Sequence, residues 1–147
     1  MYSKKTLEHF QNPRNMGKIK NPDGVGEVGN LKCGDVMKIY ILVSLRPKTN
    51  NSKLITKNYG NETIEGGGQE EYIEDIKFET LGCAAAIASS SMLTEIAKGK
   101  SLDQAEKITR DDINDSLGKL PAQKYHCSIL SAEAIHRAIA DYRHNKE

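Results

Sequence analysis

The sequence predicts an α+β domain, a small antiparallel three-stranded sheet with helices packed on one face, and two observations carry that expectation. Stretches with strand character are gathered in the first half of the chain and stretches with helical periodicity in the second, whereas a parallel sheet would need the two to alternate. The 147 residues suffice for one core, and no internal repeat divides them, so a single domain spanning 1–147 is expected.

Taken in order, Ser3 is placed to cap a helix over residues 3–10. Its Leu7 and Phe10 fall three apart on one face, and Asn12-Pro13-Arg14-Asn15-Met16-Gly17 ends it. That break leaves the helix free to move, with His9 facing solvent. Asn21-Pro22-Asp23-Gly24 is a turn signal, after which 25–28 reads as a short strand thinned by glycines. A loop at 29–35 leads into 36–45, where β-branched and aromatic residues dominate as a strand requires. From 46 to 71 the composition shifts to Asn, Lys, Glu, Thr and Gly, a polar insertion that could hold a hairpin extension around 54–64. Its Gly66-Gly67-Gly68 reads as linker, because no Lys-Ser/Thr pair follows to make a phosphate loop. Residues 72–80 alternate, with Tyr72, Ile76 and Phe78 on one side and Ile73, Asp75, Lys77 and Glu79 on the other, as in a half-buried strand.

The second half is helical. Leu81-Gly82-Cys83 turns the chain into an Ala-rich helix over 84–98 that Gly99 ends. Its Ser89-Ser90-Ser91 has no histidine or aspartate at a useful spacing for nucleophilic work, so close packing on the sheet explains the small residues. Ser101 with Gln104 forms a capping box for a helix through 108, and Thr109 caps another through 117, with Asp111 and Asp112 in its first turn and Gly118 as its stop. The last helix starts near Tyr125 or His126 and runs to about His144, with Ile129, Leu130, Ile135, Ala138, Ile139 and Tyr142 as its apolar stripe. His136 and His144 lie within or at the end of this helix, where a cation is mildly stabilising.

Charge narrows the partners. Lys plus Arg total 21 against 20 for Asp plus Glu, so there is no footprint for nucleic acid or an anionic membrane. No apolar run reaches the roughly 20 residues of a membrane span, and the start is polar, so a cytoplasmic protein is expected. In that reducing setting Asn61-Glu62-Thr63 carries no glycosylation meaning, and three cysteines point to metal ligands, nucleophiles or core residues before disulfides.

Each cysteine sits at a bend. Cys33 precedes Gly34 and Asp35, Cys83 follows Gly82, and His126-Cys127 follows Leu120-Pro121-Ala122-Gln123-Lys124-Tyr125. Cys83 and Cys127 both fall at expected helix N-termini, where unpaired amides and about half a positive charge favour a thiolate over a thiol. Three thiolates brought to one point suit zinc or an iron–sulfur cluster, and completion by the Asp35 carboxylate or the His126 imidazole would hold the cargo less tightly than a fourth thiolate. Singly, each cysteine also fits a small core residue, and no Cys-x-x-Cys pair is present.

Four segments together resemble the IscU/NifU family of iron–sulfur cluster assembly scaffolds. They are His9 to Gly17, Cys33-Gly34-Asp35-Val36-Met37, the run from Leu81 to Ser91 beginning Leu-Gly-Cys-Ala-Ala-Ala, and Leu120 to Leu130. The resemblance implies that Cys33, Cys83 and Cys127 receive sulfur and hold a [2Fe-2S] cluster at one end of the sheet. Asp35 or His126 would be the exchangeable fourth ligand, and zinc could occupy the same set in the cluster-free form. It implies a non-catalytic scaffold, monomeric or a cluster-bridged dimer, supplied by a cysteine desulfurase and delivering to apo iron–sulfur proteins. Leu120 to Lys124 corresponds to a Leu-Pro-Pro-Val-Lys motif recognised by an Hsp70-type chaperone, from which Ala122 and Gln123 depart. Ala84 stands where the family usually has glycine, the polar insertion is unusual for the short form, and the chain's end at Glu147 implies none of the further C-terminal domains of full-length NifU. The alternatives are a zinc-dependent persulfide sulfurtransferase of the SufU type, against which His126 argues, and a structural zinc domain used for protein contacts.

Overall fold

The computed structural model describes residues 3–30, 35–47, 69–118, 120 and 125–146. Strands β1 (Gly24–Asn30), β2 (Asp35–Pro47) and β3 (Gln69–Leu81) pair antiparallel in the order β1-β2-β3, so each joins its neighbour in sequence. The helices follow as α1 (Lys4–Gln11), α2 (Ala84–Ala97), α3 (Leu102–Ala105), α4 (Arg110–Ser116) and α5 (Tyr125–Lys146). Met37, Ile39 and Ile41 of β2 and Ile73, Ile76 and Phe78 of β3 form one fully buried face against Leu93 of α2 and Ile135 and Ile139 of α5. Each such side chain contributes about 1.5–3 kcal/mol by leaving water, so this single layer dominates stability.

The alternation expected along β3 fails at Glu74. Leu42 pairs with Asp75 but Val43 pairs with Ile73, which makes Glu74 an extra residue and reverses the side-chain phase before it. Ile73 is therefore fully buried beside Ile76 and Phe78, and not on the side of Asp75 and Lys77. Tyr72 faces the other way, with the Arg46 guanidinium 4.4 Å from its ring centre. The polar insertion expected at 46–71 is strand at both ends, where Arg46 Nε meets Glu70 Oε2 at 2.8 Å. The hairpin considered at 54–64 lies outside the described residues.

The first helix departs most from expectation. Ser3 caps it as predicted, accepting from the Thr6 amide at 3.1 Å. Yet its buried residues are Thr6 and His9, while Leu7 and Phe10 remain 40% exposed. His9, expected in solvent, is 1% exposed, with Nδ1 2.7 Å from Ser91 Oγ and Nε2 3.3 Å from Glu95 on α2. Ser3 and Thr6 hydroxyls both donate to the Leu117 carbonyl beyond α4. The helix is thus fixed to two others by polar contacts that no local pattern announces. Residues beyond it continue the attachment: Arg14 N donates to Ser91 Oγ at 2.9 Å, and Gly17 N to the Phe78 carbonyl at 2.8 Å on the edge of β3.

Both predicted capping boxes form, Ser101 with Gln104 and Thr109 with Asp112. The first helix they start is shorter than expected and ends at Ala105. Gly99, after the C-cap Lys98 of α2, takes φ 87°, a left-handed conformation that suits glycine. Helix α5 lies directly on β1. A Cβ at Gly26 would strike the Ala134 carbonyl oxygen and the Ala138 amide, and one at Gly24 the Ala138 carbonyl oxygen. The glycines that thin β1 are what allow the helix to come so close.

Candidate functional site

Strand register and helix direction bring three chain segments to one end of the sheet. Asn30, the last residue of β1, pairs with Asp35, the first of β2, so these two strand ends lie side by side at this end. Val36 pairs with Leu81, which sets the Gly82-Cys83 turn beside the start of β2. Helix α5 runs against β1 with Ala138 near Gly24 and Ala134 near Gly26, so its N-terminus points to the same end. Ser131 Oγ, 3.2 Å from Met37 Sδ, places Cys127 one turn further toward the start of β2.

Cys83 is the N-cap of α2, in extended conformation, with its carbonyl accepting from the Ala86 and Ile87 amides at 3.0 and 3.2 Å. It is half-buried and packs on the main core. Cys127, third residue of α5, belongs to that core and has no exposed surface. The N-termini of α2 and α5 thus both face this end, each adding a partial positive charge of about one half that stabilises anionic sulfur.

Of the five residues singled out in the sequence, the structure describes the side chains of Cys83 and Cys127. Asp35 is placed by its backbone in β2 and His126 by its backbone in the first turn of α5. Cys33 lies outside the described residues, and no group of three potential metal ligands comes together among the described ones. Leu120 is buried in the core, while 121–124 lie outside the described residues. His136 has its Nε2 3.0 Å from the Ile108 carbonyl. No described helix is long and apolar enough to cross a membrane.

Sequence reasoning missed the residues that hold the Cys127 turn. Ser128 Oγ donates to Asn114 Oδ1 of α4 at 2.8 Å, both groups buried. Ser131 Oγ is 3.1 Å from the Cys127 carbonyl. The sequence signal was two serines on the buried stripe of the first two turns and an asparagine, a poor helix former, inside a short helix.

A family model described as NifU-like N terminal domain matches residues 1–57 and 63–147. The chain is 53% identical over 142 residues to iron-sulfur cluster assembly scaffold protein IscU 1 of Archaeoglobus fulgidus, covering 97% of this chain and 76% of that protein. It is 44% identical over 149 residues to iron-sulfur cluster assembly scaffold protein IscU of Escherichia coli K12, covering 99% and 97%. In fold it is similar to the N-terminal part of a nitrogen-fixing NifU-like protein from Brucella abortus, at TM-score 0.62 and 19% identity, covering 97% of this chain and 94% of that one.

Proposed function

The chain belongs to the NifU-like N-terminal domain family, and from that premise we propose that it is a scaffold on which iron–sulfur clusters are built and then handed on. The observation that carries this reading is the gathering of the paired strand ends Asn30 and Asp35, the Cys83 N-cap and the first turn of α5 at one end of the sheet. Cys33, Cys83 and Cys127 would supply three thiolates to a [2Fe-2S] cargo. The Asp35 carboxylate or the His126 imidazole would complete the set, a harder ligand than thiolate and so the easier one to exchange. Zinc would take the same set when no cluster is present.

Sulfur would arrive as the outer atom of a persulfide on a cysteine desulfurase. Attack by a thiolate of this chain on that atom moves the sulfur across and leaves the donor as a thiolate. Turning that sulfur into sulfide takes two further electrons, supplied by an external electron donor or by a second thiol of the chain that ends as a disulfide, and iron would come from a separate source. The finished cluster would pass to an apo-protein. A chaperone gripping 120–124 would have to draw Leu120 out of the core, which gives such a partner a means of loosening the Cys127 turn.

Anaerobic reconstitution with iron and sulfide, followed by absorbance and by metal and acid-labile sulfide analysis, tests the reading. A coloured product that Cys33→Ser, Cys83→Ser and Cys127→Ser each weaken is expected, and Asp35→Ala is expected to slow transfer to an apo-ferredoxin. A colourless product with stoichiometric zinc, no labile sulfide and stimulation of the desulfurase would overturn it in favour of a sulfurtransferase.

A further inference from the structure

We infer that Asn114 is a positioning residue for Cys127: its hydrogen bond from Ser128 is the latch that keeps the first turn of α5 closed over the thiol, and opening it exposes that thiol. The inference rests on the reading of Cys127 as a sulfur-accepting or cluster-holding residue. That role requires another molecule to reach the sulfur, yet Cys127 is 0% exposed and part of the core. Cys127 is carried on the first turn of α5, so loosening that turn brings the sulfur out, and what holds the turn sets how readily it loosens.

Ser128 in this turn and Ser131 in the next make side-chain bonds. Ser131 Oγ lies 3.1 Å from the Cys127 carbonyl and 3.2 Å from Met37 Sδ. The first of these is internal to the helix and travels with it, and the second has a thioether as acceptor, a weak one. Ser128 Oγ to Asn114 Oδ1, at 2.8 Å, is a buried bond of ordinary strength from this turn to another element. Its acceptor is on a firm post. Helix α4 is set at its start by the Thr109–Asp112 capping box and at its end by Ser3 and Thr6, which hold the Leu117 carbonyl. Asn114 is 5% exposed and Ser128 fully buried, so breaking the bond without a replacement strands two polar groups in the core. The closed turn is favoured for that reason, and the bond offsets the cost of an asparagine inside a helix.

The test is the rate at which N-ethylmaleimide modifies Cys127 in the reduced chain stripped of metal by a chelator, read by peptide mass spectrometry with Cys83 as internal reference. Asn114→Ala and Ser128→Ala are each expected to accelerate Cys127 about tenfold. Cys83 should stay within about twofold of its original rate. Because both changes remove one and the same bond, the double variant should be no faster than about twice either single, which a general loosening would not reproduce. Ser128→Ala places a better helix former at its site and keeps the test available if Asn114→Ala does not fold. Unchanged Cys127 rates, accelerations that multiply in the double variant, or an equal acceleration of Cys83 would each overturn the latch. Cluster formation undiminished in Cys127→Ser would instead overturn the functional reading, leaving the labelling result to stand by itself.

Discussion

Replacing Gly26 by alanine probes the contact on which the geometry of the site depends. Its backbone conformation is ordinary strand, so the cost is purely one of space: the new Cβ would press on Ala134 and Ala138 main-chain atoms and come within 3.0 Å of the Arg137 carbonyl carbon. Backbone atoms of a 22-residue helix cannot step aside as a side-chain tip would. Overpacking of this kind costs about 3 kcal/mol at the upper end of its usual range. The narrower unfolded ensemble of alanine returns up to about 1 kcal/mol. A net loss of about 2 kcal/mol lowers Tm by roughly 4–8 °C in a chain of this size. Thermal unfolding followed by circular dichroism measures it. Gly99→Ala is the control, since nothing lies within 4 Å of its Cβ and only its φ of 87° is strained. It should lose about 1–2 kcal/mol but leave cluster loading unchanged, whereas Gly26→Ala should lower loading as well, by lifting α5 and Cys127 off β1. A Gly26→Ala chain that melts within about 1 °C of the original would refute the close approach of α5 to β1.

Two further outcomes follow from the fold. Burial, and then the nearby Arg14 charge, hold His9 below its ordinary value of 6.5, with Glu95 pulling more weakly the other way. The unfolded chain therefore takes up the proton first, so the stability due to neutral His9 is complete above about pH 6.5 and is lost as pH falls toward the folded value. Urea midpoints at pH 7.5 and 5.5 should drop for the original chain and drop less for His9→Gln; equal drops would count against the buried imidazole. Ile73→Ala should cost about 2–5 kcal/mol as a cavity in the core, and Tyr72→Ala clearly less. The reverse order in denaturant titrations would mean that the bulge at Glu74 is absent.

Sequence signals are legible where the physics is local. The strand over 36–45, both capping boxes and the start of α5 at Tyr125 follow from residue preference and capping chemistry, which act within a few positions. What was misread depends on partners far along the chain. Ile73 changes sides because an extra residue at 74 faces β2, and His9 is buried because Ser91 and Glu95 wait on α2. The same holds at the site. Cys83 and Cys127 could be assigned to helix N-termini individually, and a shared site was the simplest purpose for thiols on separate bends, but which end of the sheet gathers their segments follows from the register of β2 with β3 and the crossing of α5 over β1. Asn114 and Ser128 had no signal strong enough to pair them.

Helix α1 is attached in an unusual currency. Thr6 and His9 face inward while Leu7 and Phe10 are left partly in water, and the surface beneath carries Ser91, Thr94 and Glu95. Were this helix to detach, the groups uncovered would include hydroxyls, an imidazole and a carboxylate that water solvates well, so this attachment costs less to undo than one built of apolar side chains alone.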